Sequence, residues 1–484
     1  MNRFSFIPLL STRLLRPVAS LLVLGSLLGG CSKFVETDIP GNKLTAKDAF
    51  ADNATAASVL TRVLADMSAS YAISGTSGVS LLSSLMADEL TNYDVSNTIA
   101  QAHYMNNVSS REALWWDWYY KFIYSCNDAL EQLPLSTGVT APVRDQLMGE
   151  AHFIRAFCYF YLVNYWGTVP MATSTDYAAN RLLGRAPVAS VYAQIETDLE
   201  EALKLLGNDY RAADVVTTTE ERVRPNRAVA QALLARVYLY QDKWALAEAA
   251  ATEVLENAAY YLPEPNDAFL KNSPEAIWQL QPVDRNYNTQ DGLAFILVWG
   301  PEYGSPAAMR QQLLDLFAVD DKRRTDWIGE VTPDMQTFYF PFKYKMGNNE
   351  PVPHSELKEY LMVLRLGEQY LIRAEARAEQ SKLAGADGAE ADLNAVRARA
   401  GQGELSAGTR EEMLTLIATE RQRELFAEWG HRWLDLKRTG TIDAVMTVLA
   451  TEKGNVWDTR RQLYPIPLTD VQAAPNVGQN PSYN

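Results

Sequence analysis

Four histidines stand in this chain, at positions 103, 152, 354 and 431. No two of them have the spacing that would put a zinc-binding pair on one helical face. No Gly-x-Ser-x-Gly turn is present to lift a serine nucleophile above a sheet. Gly401-Gln402-Gly403 lacks the further Gly or Gly-Lys of a phosphate-cradling loop. Asp320 and Asp321 are neighbouring carboxylates, but the two acids of a glycosidase must converge across a substrate, which adjacency in sequence does not give. A calcium loop of Asp-x-Asp type is absent as well. These residues predict no enzyme, no cofactor and no metal site. What remains is aromatic: 11 Trp and 24 Tyr. Sugar rings present flat C–H faces that stack on indole and phenol rings, and their hydroxyls pair with Asn, Gln, Asp and Arg. Tyr93, Tyr104, Tyr287, Trp299, Tyr303 and Trp327 stand in turn-rich context beside such residues, and these six are the candidate ligand contacts. Any one of them could instead pin its own loop; the expectation is that two or more line a site.

The elements that must position these side chains are mostly helical. The spacing of apolar residues predicts helices over 46–70 and 79–90, then a polar, irregular stretch over 91–110. Trp116, Tyr120, Ile123, Asn127 and Leu130 fall on one helical face, read as packing, with Pro134 ending that helix. Further helices are expected over 143–165, 187–206, 227–241 and 244–257, with a loop over 207–224. Ala232, Ala235, Ala247, Ala250 and Ala251 set small residues across a tight helical hairpin, which resembles a tetratricopeptide unit with its ~34-residue period. Two more candidate pairs are 361–380 with 389–400, and 148–165 with 188–206. Residues 258–356 change character: Pro, Gly and aromatics recur, helical periodicity fades, and 276–280 and 337–340 read as short strands. An irregular block of that length is expected to be functional or a subdomain. Helical pattern resumes to about Leu449, and Leu463-Tyr464-Pro465-Ile466-Pro467 is expected to lie extended across the surface.

The N-terminus has Arg3, Arg13 and Arg16, then an apolar run from about Val18 to Leu28, roughly half of the ~20 residues a membrane-spanning helix needs. It reads as a secretory signal. Leu28-Gly29-Gly30-Cys31 resembles the lipobox of bacterial lipoproteins, which implies cleavage before Cys31 and lipid on its thiol. The expected division is a signal peptide over 1–30, a lipidated tether over 31–45 and a folded body over 46–484. Without residues 1–30 the chain keeps 41 basic and 59 acidic side chains, a net charge of −18. That argues against nucleic acid and against a polybasic grip on anionic lipid. Cys126 and Cys158 are read as buried thiols, with a disulfide left open by export.

Four stretches together resemble the SusD/RagB family of nutrient-binding surface lipoproteins of the Bacteroidetes: 149–157 running into Trp166-Gly167-Thr168-Val169-Pro170; 364–376 followed by 393–401; 420–438; and 463–467 with Gln479-Asn480-Pro481-Ser482-Tyr483. Ser482 departs from the Gly that the family favours. The resemblance implies a mostly helical fold of four tetratricopeptide-like pairs with an irregular, loop-rich insert. It also implies a cell-surface, outer-membrane location on the lipid anchor, and delivery of a captured oligosaccharide to a SusC-like TonB-dependent transporter. The alternatives are a peptide ligand on the same fold and partner, a surface glycoside hydrolase with a helical body, or an assembly scaffold. Glu428 with Arg432, or Arg432 with Asp435, are spaced to pair along one helix as scaffold residues.

Overall fold

The computed structural model describes residues 46–484 apart from 70–72, 112–114, 284–287, 303, 348–352, 354–355, 475 and 484. The signal and tether (1–45, with Cys31), Tyr287, Tyr303 and His354 therefore lie outside the described residues.

The longer helices are α1 (Asn53–Ala69), α2 (Val79–Met86), α3 (Trp116–Gln132), α4 (Ala141–Trp166), α5 (Val188–Leu205), α6 (Arg227–Leu239), α7 (Trp244–Leu255), α8 (Leu366–Glu379), α9 (Ala389–Arg399), α10 (Arg410–Leu425), α11 (His431–Arg438) and α12 (Ile442–Glu452). α3 packs on α4, α4 on α5, α5 on α6, α6 on α7, α7 on α8, and α8 on both α9 and α10. Each helix thus buries its faces on its neighbours in sequence, the stacking logic of a solenoid. The chain is a mostly helical, tetratricopeptide-like repeat protein. α4 is its axis. Every residue from Phe153 to Val163 is buried, so this helix needs an apolar surface all round. Across the α6–α7 hairpin, Ala232, Ala235, Ala247 and Ala251 are fully buried, the small residues that let two helices approach.

Among the described residues, four two-stranded antiparallel sheets complete the fold. β1 (Leu90–Asn92) pairs with β5 (Ala307–Met309), β2 (Val169–Pro170) with β3 (Arg185–Ala186), β4 (Ala276–Leu280) with β8 (Leu361–Arg365), and β6 (Ile328–Val331) with β7 (Phe338–Pro341). Three expectations change here. Residues 361–365 are strand, not the first turn of a helix: all five are buried against β4. A short apolar run reads equally as buried strand or buried helix. The helix expected over 79–90 stops at Met86, and the stretch expected to be irregular contains β1 and a helix, Thr98–Tyr104, capped by the Asn97 side chain on Ala100 N–H. The helix expected over 46–70 is broken where Asp52 accepts from Thr55 N–H at 2.9 Å and so starts α1 afresh.

The tail is inside rather than across the surface. Tyr464 and Ile466 are buried, Tyr464 N–H donates to Tyr165 O (2.7 Å), and Trp166 Nε1–H donates to Pro465 O (2.8 Å). Asn480 Nδ2 then donates to both Trp166 O and Tyr464 O. Two separated family stretches therefore meet at one knot. Cys126 and Cys158 are free and buried.

A buried ionic cluster ties the repeats to the irregular block. Arg365 donates to Glu275 (2.7 Å), Glu424 (2.6 Å) and Glu428 (2.8 Å). Arg323 meets Asp321, Glu420 and Glu424, Arg399 meets Glu275 and Glu424, and Lys343 meets Glu428 and two backbone carbonyls. The pairs expected along 428–435 do not form; these residues pair with other segments, and Asp435 also with Arg438 one turn on along α11. Arg432 binds Asp88 (2.6 Å), Glu428 joins the cluster, and Asp435 takes Arg421 (2.8 Å) and Arg438 (2.8 Å). Glu428 lies before α11, where Ala427, Trp429 and Gly430 all have positive φ, so it never shares a helix with Arg432.

Candidate functional site

Two exposed aromatics, Tyr93 and Trp299, meet on the irregular side, while Tyr124, Tyr177 and Tyr261 are exposed on other segments. Tyr93 directly follows β1, and its N–H donates to Pro306 O (2.8 Å), which extends the β1–β5 pairing by one residue. Its ring meets Phe338, the first residue of β7, edge to face with centroids 5.1 Å apart. Trp299 is 76 % exposed. The residue after it, Gly300, rests on the same hub. A Cβ built there would lie 3.3 Å from Pro333 Cγ and 3.9 Å from Phe338 Cδ2, and its φ of +136° excludes ordinary side chains. Beneath them Leu297, Ala308 and Phe340 form a small apolar core of their own, with Ile296, Val331, Phe338 and Phe342 packed against it. Two exposed rings, Tyr93 and Trp299, are thus carried on segments that converge on Phe338. Ser96, Thr332, Asp334 and Gln336 are exposed on the same segments and supply hydroxyl, carboxylate and amide groups.

The β6–β7 hairpin tip is conformationally unusual. Asp334 (φ 48°) and Met335 (φ 66°) are consecutive non-glycine residues in the left-handed region, a strained arrangement of the kind concentrated at functional loops. Met335 is 98 % exposed, and Val95 and Val298 are exposed too. Sequence reasoning missed Phe338 and Met335. The strand containing Phe338 was legible, but its place between Tyr93 and Gly300 depends on contacts far apart in the chain.

Two of the six candidates stand differently: Trp327 is elsewhere, and Tyr104 is near Tyr93 but only partly exposed. Trp327 is fully buried: its Nε1–H donates to Pro265 O (2.7 Å), and Lys343 and Arg399 each lie 4.8 Å from its ring centroid. It is the aromatic wall of the ionic cluster, where cation–π contact and burial hold it, so it offers no face to a ligand. Tyr104 is half-buried on the Thr98–Tyr104 helix, packed against the main core with Lys453 Nζ 4.5 Å from its ring centroid. Asp321 caps the helix Lys322–Asp326 and pairs with Arg323, so it faces no substrate. Among the described residues no group of three or more His, Cys, Asp and Glu is arranged to hold a metal.

Glu89 and Glu359, on the loop-rich segments, are buried carboxylates. Glu89, immediately before β1, accepts from Ser84 Oγ (2.6 Å); burial raises its pKa to about 7. Glu359 accepts from the backbone of Lys345 (2.6 Å) and Met346 (3.2 Å), and burial raises it to about 7 as well.

A stack of tetratricopeptide-like helix pairs bearing a loop-rich lobe with solvent-facing aromatics defines the class. A family model described as "Starch-binding associating with outer membrane" matches residues 51–239, and the SusD family model matches residues 330–483. The chain belongs to the SusD/RagB family. It is similar to SusD-like protein P38 of Formosa agariphila, with 24 % identity over 460 residues that cover 82 % of this chain and 86 % of that one. Among solved structures it resembles a SusD superfamily protein from Bacteroides vulgatus, with TM-score 0.76, 20 % identity, and coverage of 89 % of this chain and 99 % of that one. It also resembles surface glycan-binding protein A from Bacteroides thetaiotaomicron in complex with laminarihexaose, with TM-score 0.72, 21 % identity, and coverage of 87 % and 98 %.

Proposed function

We propose that the protein captures oligosaccharide or polysaccharide at the cell surface and hands it to a SusC-like TonB-dependent transporter of the outer membrane, without catalysis. The observation that carries the binding reading is the pair of exposed rings, Tyr93 packed on Phe338 and Trp299 beside Gly300, which lies against the same residue, in a chain of this family. A structural relative was solved with laminarihexaose bound, and a neutral glucan suits a chain whose acidic balance repels polyanions. Tyr287 and Tyr303, which belong to the same irregular block, are proposed as further contacts. Anchoring is proposed through lipid on Cys31 after removal of residues 1–30, with 31–45 as the tether. Among the described residues no helix is long and apolar enough to cross a membrane.

One observation favours the peptide alternative: Val95, Val298 and Met335 add exposed aliphatic surface beside the rings, and aliphatic groups pack side chains better than they stack sugars. A binding screen of the purified protein decides between them, using neutral and acidic polysaccharides and a peptide library, with product analysis on the same samples. Binding of a neutral glycan without cleavage is the expected result. Binding of peptides alone would move the ligand class, and hydrolysis would replace the capture reading altogether.

A further inference from the structure

Tyr93 is carried on residues 88–104, and both ends of that stretch are held by the chain that follows α12. At the upstream end stands Lys453, buried where α12 stops. Its Nζ donates to Leu85 O at 2.8 Å, with longer contacts of 3.4 Å to Met86 O and Ala87 O, at the end of α2. The last carbonyls of a helix have no partner further along it, so a buried helix end needs a donor of this kind. Met86 is tied twice more: Asn106 Nδ2 donates to its carbonyl (3.0 Å), and Tyr464 Oη donates to its Sδ (2.8 Å).

At the downstream end, Asn455 Nδ2 donates to Met105 O and Arg461 Nη1 to Asn106 O (3.3 Å). Lys453 touches both ends at once, because its Nζ also lies 4.5 Å from the Tyr104 ring centroid. The strand beside Tyr93 joins the same frame. Arg310, which follows β5, donates its N–H to Glu89 O (2.9 Å) and pairs through its side chain with Glu452, the residue before Lys453. Trp299 has other supports, since Gly300 lies against Pro333 and Phe338. We propose that Lys453 is a positioning residue of the binding patch: it holds both ends of residues 88–104, fixes where Tyr93 stands, and so sets affinity without meeting the ligand. The proposal rests on the reading of Tyr93 as a ligand contact.

The test compares wild type with Lys453→Met, which keeps a buried stem and removes the donor, and with Asn455→Ala, a milder change at the downstream end. Two readouts separate the inference from the reading beneath it. The first is hydrogen exchange of the purified protein without ligand. Lys453→Met is expected to speed exchange about tenfold or more in peptides covering 88–97, and Asn455→Ala by less, while peptides covering 298–300 and 332–338 keep their wild-type rates. The second is affinity for a soluble neutral β-glucan, in a cycle with Tyr93→Ala. Lys453→Met is expected to weaken binding about fivefold when Tyr93 is present and less than about twofold when it is already Ala, since the lysine acts through that ring. If Lys453→Met does not fold, Asn455→Ala carries both readouts. Exchange at 88–97 that matches wild type in the folded variants, or that speeds up evenly across the molecule, would overturn the positioning role whether or not any glycan binds. An affinity loss of equal size in both backgrounds would overturn it too. No β-glucan binding by wild type, with the local change in exchange intact, would overturn the ligand reading and leave Lys453 as the support of Tyr93.

Discussion

Trp327 and Trp299 come from the same turn-rich block of sequence, yet the fold uses them in opposite ways. Trp327 is sealed beside four buried cations and five buried carboxylates, where every ring face is taken by protein. Trp299 stands in solvent on a glycine-hinged turn. Around Trp327 the charges pair with one another and the ring has no exposed face. The patch leaves the Trp299 ring and part of the Tyr93 ring open to solvent, and that is what a binding surface requires. Exposure, more than residue type, separates structure from function here.

The largest effect that could break this comparison is on the scaffold side. Arg365→Ala leaves Glu275, Glu424 and Glu428 buried with their main cation gone, and removing one partner of a buried pair costs about 3–5 kcal/mol. Urea unfolding is expected to show that loss, and an unchanged midpoint would mean that the cluster contributes little. Trp327→Ala removes a fully buried ring at a cost of about 3–5 kcal/mol. The corresponding change at Trp299 is expected within about 0.5 kcal/mol of wild type, as for exposed positions generally.

A smaller effect concerns Glu89, the buried carboxylate just before β1. Glu89 titrates at about 7 when folded against a reference of 4.5, raised chiefly by burial. The folded state therefore holds a proton that the unfolded chain releases, so this group's contribution to stability falls as pH rises from about 4.5 through about 7. Glu89→Gln is expected to gain on the wild type by up to about 1.4 kcal/mol per pH unit across that window. His103 and His431, pushed down to about 4 by burial, act with the opposite sign in the acid range. The difference between variant and wild type isolates Glu89 from them; parallel stability curves would contradict the assignment. The smallest effect is at Ser482, whose φ of +76° lies in the left-handed region while its Oγ donates to Asp458 (2.6 Å). Ser482→Gly relieves strain and loses one hydrogen bond, terms of about 1 kcal/mol each, so thermal melting is expected to shift by no more than a few degrees.

Much of the scaffold was legible because spacing of three and four residues reports a helical face directly. The α6–α7 hairpin and α4 declared themselves through Ala232, Ala247 and the aromatic run from Phe153. Leu361–Arg365 did not, since a continuous apolar run carries no period. The partners of Glu428, Arg432 and Asp435 did not either: spacing states what a side chain can reach along its own helix and is silent about Arg365, Asp88 and Arg421 arriving from elsewhere. For the candidate site, sequence reasoning reached the right kind of residue in the right block. It could not separate Trp299 from Trp327, because burial is a property of the packed chain.

The most direct measurement is the affinity of the purified protein for a soluble neutral β-glucan, with Trp299→Ala and Trp327→Phe beside the wild type. The account predicts that Trp299→Ala weakens binding about tenfold or more at unchanged melting temperature, and that Trp327→Phe lowers the melting temperature while the folded protein keeps its affinity. Affinity that survives Trp299→Ala, or falls only with Trp327→Phe, would contradict the assignment of binding to the exposed patch.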